Sequence, residues 1–427
     1  MASKDTLERS KSMTITVEKV ARSSHEDFLN AGISLIARQG IDSISVADIS
    51  KASGYTRATF YSYFGDVDGL YAEIWMRYGR LWLEAMAKDT VPYQTEEDKL
   101  RCNSVLEIFI ASKRKPSVLE VVLPTVTNWW NETTGGNKAM EAKLAWVVAS
   151  NIGIAASKHL APGVTTVDEI VSLIRQIPVD EAVLSTMGFT PAPNVKLVEA
   201  LLETPEPESE SDEDKIKAST IEVVAAAGVA DASMTRIARN LQVSTGSVYP
   251  RFKNVSDVIG EAFSWSIQKI VQDNTQAYFS TQANADSYAS VIVGSLSESR
   301  RAWRNFRLEM YLASRFRESL SKIMIPGLEQ SDAVLESFVR NNGIPERHVT
   351  QIVGLMHALG IGFAVLQNAG IDVPAIDHRV PTRYLVSVLS ILKSSGVAAS
   401  QFKHSIAQDA VMSAMGSRSR TASAIAG

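Results

Sequence analysis

Two stretches of this chain carry one pattern 188 residues apart, and they constrain the fold more than any other feature. The first, residues 45–64, reads SVADISKASGYTRATFYSYF. Ser45 is an N-cap residue with Asp48 three positions on, close to a capping box. Val46 and Ile49 share one helical face. Gly54 suits a helix end because it takes positive φ without a steric penalty. Thr56 can cap a second helix running through Arg57, Ala58, Thr59, Phe60 and Tyr61. The second stretch, residues 233–252, reads SMTRIARNLQVSTGSVYPRF and superimposes on the first without a gap. Gly40 falls on Gly228, Ser45 on Ser233, Ile49 on Ile237, Thr56 on Ser244, Thr59 on Ser247, Tyr61 on Tyr249 and Phe64 on Phe252. The flanking caps repeat too: Ser23 with Glu26 against Ser211 with Asp214, and Asp66 against Asn254. Chemical roles recur where identities do not, which reads as a tandem duplication.

Helix, glycine-containing turn, helix is the arrangement whose second helix enters the DNA major groove. A wider pattern runs through Phe28, Ala31, Ile36, Gly40, Val46, Ile49, Gly54, Thr56, Tyr61, Phe64 and Leu70. With apolar, glycine and aromatic residues at these offsets, the stretch resembles the DNA-binding domain of TetR-type transcriptional regulators. The resemblance implies an all-α fold of two TetR-like units, each a three-helix helix-turn-helix domain followed by a helical regulatory and dimerisation domain. It implies a small, often apolar effector, pairing through two C-terminal helices, and repression as the direction of effect. Two departures stand out. Val67 and Val255 occupy the place where the family usually has a phosphate-contacting Lys, and Lys253 lies two residues before the second of them. Gln242 stands where the first copy has Gly54, and Pro250, which must end or distort its helix, stands where it has Ser62.

The chain has 427 residues, too many for one helical domain. Hydrophobic residues make up 45%, enough for ordinary cores. The single cysteine, Cys102, allows no intramolecular disulfide, which fits a cytoplasmic setting; it reads as a small residue on a helix. No apolar run reaches the roughly 18 residues of a membrane span. A net charge of −4 gives no general affinity for nucleic acid, so any basic footprint must be local. The six histidines show no metal-ligand spacing, and His357 reads as a core residue within an apolar helix. No phosphate-cradling glycine loop and no nucleophile motif occurs. The chain therefore reads as a non-enzyme without metal or cofactor.

Residues 1–20 are polar and read as a disordered N-terminus without a signal-peptide core. The first helix-turn-helix domain is placed at 21–66 and its regulatory domain at 67–202, with helices near 96–111 and 139–160, a break at Pro116, and Trp129 and Trp130 in the core. Residues 203–210 form an acidic, Pro- and Ser-rich linker. The second helix-turn-helix domain is placed at 211–254. Its regulatory domain, 255–412, has an Arg-rich helix over 297–316 and apolar helices over 346–369 and 381–394. A loose tail ends the chain at 413–427. Gly153, Ala155 and Ala156 in one apolar helix and Gly354, Gly360 and Gly362 in another permit close helix approach.

DNA binding needs donors for phosphates and side chains that reach base edges. The first head offers Ser45, Thr56, Arg57, Thr59, Tyr61 and Tyr63, with Arg57 suited to a bidentate guanine contact. The second offers Ser233, Ser244, Thr245, Ser247, Tyr249, Arg251 and Lys253. Residues 233–253 hold four cations and no acid, whereas in residues 45–65 Lys51 and Arg57 face Asp48. The first head is thus expected to specify more and the second to anchor more. The partners expected are a double-stranded DNA operator and a small apolar effector, without a membrane. The two units are expected to pair as an intramolecular pseudo-dimer, with a homodimer as the other arrangement. The competing reading is a helical small-molecule or partner-binding protein whose heads have lost DNA.

Overall fold

The computed structural model describes residues 24–88, 95–160, 167–180, 211–280, 285–341 and 344–395. The N-terminus at 1–20, the Ser23 cap, the acidic linker at 203–210 and the tail at 413–427 lie outside these residues. Sixteen α-helices and no strand occur among the described residues, which makes the fold all-α. They fall into two compact units, residues 1–82 with 92–125, and residues 83–91 with 126–427. This division cuts through the stretch read as the first regulatory domain, because helices from residue 138 onward pack with helices of the C-terminal half.

In the first unit α1 (residues 24–39), α2 (Val46–Ser53) and α3 (Arg57–Phe64) build the head. Helix α4 (Val67–Ala87) leaves it, and α5 (Glu96–Ala111) and the start of α6 (Pro116–Thr134) complete the unit. Phe28, Ile36, Ile49, Phe60, Leu70 and Trp75 are wholly buried. Each comes from the apolar stripe of its helix, so burying that stripe is what assembles the unit. Trp75 stacks on Phe109 at 4.9 Å. The loop ahead of α2 is fastened from α4 and α5. Tyr71 Oη donates to Ile41 O at 2.9 Å, Ile41 N donates to buried Glu107 at 3.4 Å, and Arg114 pairs with Asp42 at 2.8 Å. Lys115 pairs with Asp68 at 2.7 Å. Pro116, expected to begin a break, instead opens α6; a first-turn proline loses no helical hydrogen bond, since that N–H has no intrahelical partner.

The second unit contains α7 (Lys138–Ser157), α8 (Asp168–Arg175), α9 (Asp212–Ala227), α10 (Met234–Asn240), α11 (Val255–Ser280), α12 (Ala285–Ser295), α13 (Arg301–Ser314), α14 (Glu318–Asn341), α15 (Glu346–Asn368) and α16 (Arg379–Ser395). The sequence reading lacked α12 and α14; α14 carries Pro326 in its interior, a residue that argues against a helix. Helices α7 and α15 pack along each other. At their crossing a Cβ on Gly153 would lie 2.0 Å from Ala358 O, and one on Gly362 would lie 2.0 Å from Ala149 O. Each glycine is four residues after the alanine on its own helix, so the two helices meet through the same small pair in reciprocal fashion. Helix α15 is apolar enough to cross a membrane by length and composition, with a window hydropathy of 1.8. Of that window 72% is buried inside the protein, as in a core helix. Two further pairs are separated by 202 residues rather than 188: the buried acids Glu107 and Glu309, and the intrahelical prolines Pro124 and Pro326. Helix α12, 11 residues long, lies between the heads' spacing and this longer one.

Trp146 Nε1 donates to His378 Nδ1 at 3.0 Å, and His378 Nε2 donates to Val373 O at 2.9 Å. Burial keeps His378 neutral, lowering its pKa from 6.5 to about 4. As pH falls through this window the unfolded chain takes up a proton that the folded chain refuses, so stability is complete above pH 6.5 and declines toward pH 4. The loss expected from this group is up to about 3 kcal/mol. His378→Gln should flatten that limb of a urea stability profile; an unchanged slope would remove His378 as its cause.

Candidate nucleic-acid interface

The first head begins with a complete capping box. Asp48 N donates to Ser45 Oγ at 3.3 Å, and Ser45 N donates to Asp48 Oδ2 at 3.0 Å. The Ser45 hydroxyl also donates to Asp48, holding that carboxyl below its usual range. Gly54 ends α2 at φ 79°, where the Tyr55 amide returns to Ser50 O at 3.1 Å. Thr56 then caps α3, accepting from Thr59 N at 3.2 Å, while the two threonine hydroxyls meet at 2.9 Å. Local sequence thus fixes both helix starts and the turn between them.

Phe60 and Phe64 pack inward against Phe28, with ring centroids 5.5 and 6.1 Å away. That leaves Arg57 and Tyr61 on the outer face of α3; Arg57 is exposed and Tyr61 is 52% exposed. Tyr63 departs from the expected set. Its hydroxyl lies 2.8 Å from Ser24 Oγ and its ring meets His25 edge-on at 5.3 Å. A residue six positions after Arg57 on a helix turns well away from it, so Tyr63 braces α1 and is not presented with Arg57.

In the second head Ser233 caps α10, accepting from Arg236 N at 3.3 Å. Gln242 keeps the left-handed turn at φ 59°, alone among the described non-glycine residues. The Val243 amide returns to Ala238 O at 3.0 Å, the same closure as Tyr55 to Ser50. A side chain in this region is strained. Gln242→Gly is therefore expected to stabilise the second head by about 0.5–1 kcal/mol after the entropy of glycine is deducted. Slower hydrogen exchange at Ile237 and Ala238 would register it, and faster exchange would contradict it.

The expected second recognition helix differs most. Only a single 3-10 turn, Thr245–Ser247, forms, followed by further turns to residue 251. Pro250 removes the amide that would bond to Gly246 and disfavours helical backbone at Tyr249. Ser244 and Ser247 hydroxyls meet at 3.0 Å. Tyr249 is 54% exposed, close to its counterpart Tyr61. Phe252 and Val248 join Ile216, Met234 and Ile237 in the head's core. Arg251 donates to Ser247 O at 3.0 Å and to Asp212 at 2.7 Å, so one of the four local cations already has an acid beside it. Residues 233–253 contain no acid, but α9 supplies one. Arg236, Arg239 and Lys253 are exposed.

The second unit also holds a cavity of about 200 Å³, lined by α11, α12, α13, α15 and α16 among others. Arg300, Arg304 and Arg307 lie on its wall. Arg304 and Arg307, three residues apart, share one face of α13, and Arg300 ends the turn before it, a signal present in the Arg-rich stretch but not read as a site. His357, read as a satisfied histidine of an apolar helix, pairs with Asp332 at 2.5 Å and also lines the cavity. Cys102 lies on helix α5, as read; it is also buried, which pushes its thiol up to about 11.

Residues 28–74 match the family model for bacterial regulatory proteins, tetR family. Part of the chain is 30% identical over 115 residues to the HTH-type transcriptional regulator AcrR of Shigella flexneri, covering 26% of this chain and 53% of that protein. The chain thus spans about half the length of the curated relative it matches. These likenesses support a TetR-type helix-turn-helix in the first head.

Proposed function

We propose that this chain is a cytoplasmic, ligand-responsive repressor that reads one DNA operator with two helix-turn-helix heads. One observation carries the reading. The family match at residues 28–74 coincides with a doubly capped head whose outer α3 face presents Arg57 and Tyr61 to solvent. A groove-reading helix needs just such an outward donor. Tandem organisation is supported by matching backbone at Gly40 and Gly228, both φ 83°, by caps at Asp66 and Asn254, and by the paired acids and prolines. Pairing within one chain is supported by the reciprocal crossing of α7 and α15. The DNA contacts are assigned to Ser45, Thr56, Arg57, Thr59 and Tyr61 in the first head, and to Ser233, Ser244, Thr245, Ser247, Tyr249, Arg251 and Lys253 in the second.

The test is filter binding of genomic fragments at two stated salt concentrations. Selective retention that weakens with salt is expected. If no fragment is retained above random DNA, the competing reading of a helical partner-binding protein takes over.

A specific observation favours unequal heads: the second has a 3-10 turn where the first has two turns of α-helix. It offers exposed cations but little ordered reach toward base edges. The double change Arg251→Ala with Lys253→Ala is expected to weaken all sequences alike and to lower the salt slope by about one to two. A slope and affinity both unchanged would show that the second head does not touch phosphate.

A further inference from the structure

The cavity of the second unit has an apolar body and a cationic wall. Trp146, Trp303 and Phe363 contribute aromatic surface. Trp303 is itself steadied by Trp265 at 5.1 Å, with Lys269 over both rings. No Asp or Glu stands among the lining residues. The three arginines differ in what they already hold. Arg300 is paired with Asp273 at 2.7 Å. Arg304 donates to Ser295 O, Ser297 O and Gln367, and burial lowers it to about 10, so it stays charged at neutral pH. Arg307 hydrogen-bonds Tyr311, but its buried Nε has no partner. Asp332, outside the lining, is paired with the wall residue His357. A buried guanidinium N–H without an acceptor costs free energy that an incoming anion would recover.

We propose that this cavity binds a small aromatic carboxylate, the ring lying among the aromatic walls and the carboxylate accepting from Arg307. The inference rests on the ligand-responsive reading above and names the ligand class for it. Size sets the first limit: a cavity of about 150 Å³ holds one benzene ring, so about 200 Å³ leaves room for a ring and one carboxylate. Shape sets the second. The planar guanidinium edge matches a carboxylate, and aromatic walls favour a ring over a flexible chain. The position also explains how binding would reach the DNA-facing head. Arg304 and Arg307 lie on α13, which packs against α9, the first helix of the second head. Ile267 and Val271 of the wall lie on α11, which follows that head directly.

The experiment titrates the full chain, without DNA, with benzoate, benzyl alcohol and benzylamine in a calorimeter. Benzoate is expected to bind at least about tenfold more tightly than benzyl alcohol, with benzylamine weaker still. Arg307→Gln should abolish the preference for benzoate while leaving the benzyl alcohol affinity in place. Arg307→Lys keeps the charge without the fork, and should retain benzoate with reduced affinity, which covers the case in which the Gln variant does not fold. Equal affinity for benzoate and benzyl alcohol, no benzoate binding up to about 10 mM, or an Arg307→Gln variant that still prefers benzoate would overturn the proposal. DNA retention measured without any ligand tests the regulator reading separately, so the two can fail independently.

Discussion

Gly153→Ala and Gly362→Ala should each lower the stability of the second unit by about 3 kcal/mol or more, while the double variant costs clearly less than their sum. Each added methyl would lie 2.0 Å from a backbone carbonyl oxygen of the other helix, with no flexible side chain able to give way. Overpacking of a tight contact ordinarily costs about 1–3 kcal/mol, and backbone against backbone sits at the upper end. The non-additivity follows from geometry. Once one methyl has moved α7 away from α15, the second finds the gap already opened. Urea midpoints of the two single variants and the double variant measure this; strict additivity would mean that the two contacts do not share one crossing. The same protein bears on assembly. A light-scattering mass near 46.5 kDa at low concentration supports pairing within one chain, which a tether at about millimolar effective concentration favours. A concentration-independent mass of twice that value would mean pairing between chains.

Arg57→Ala should relax sequence preference at one base pair of the operator by about 1–3 kcal/mol, with a smaller effect on overall affinity. Arg57 is the only arginine on α3, and it is exposed beside a helix start already satisfied by Thr56. Its guanidinium is therefore not needed for the fold, and melting should be unchanged. Binding to an operator series with each position varied is the measurement. A uniform loss across all variants would make Arg57 a phosphate contact instead. The opposite pattern is expected for Asp212→Asn in the second head. That change frees Arg251 and should steepen the salt dependence.

What could be read from the sequence was local. Helix starts at Ser45, Thr56, Ser211, Ser233, Asp66 and Asn254 came out because a cap and the amide it satisfies lie within three residues. The left-handed turn at Gln242 is not legible, because a glutamine in place of Gly54 gives no local sign of positive φ. Prolines misled twice. Pro116 looked like a break yet starts a helix, and Pro326 hid one. Both sit where a missing amide does little harm, at a first turn or on an exposed face, and sequence alone does not say which face is exposed. Tyr63 was assigned by its hydroxyl, whereas its direction depends on the angle it makes with Arg57 around α3. The small residues at 153 and 362 were noted, but not that they meet the alanines at 358 and 149. The cavity needed seven helices, α7 and α11 to α16, brought together from distant parts of the chain. Its three arginines stand in the sequence only as part of an Arg-rich stretch, and packing turns them into a wall.

The start of α4 has a mechanical consequence. A Cβ on Gly69 would lie 2.0 Å from the carbonyl oxygen of Phe64, and Gly69 N is held by Asp66 at 2.8 Å. The last residue of α3 and the first turn of α4 are thus in backbone contact, with no side chain between them to act as a cushion. In the second head the corresponding residue is Asp257, whose amide donates to Asn254 Oδ1 at 3.0 Å and whose carboxylate accepts from Asn254 Nδ2 at 3.0 Å. A twist imposed on the first turn of α4 would therefore meet the end of α3, the helix that carries Arg57 and Tyr61, through backbone contact and not through a side chain.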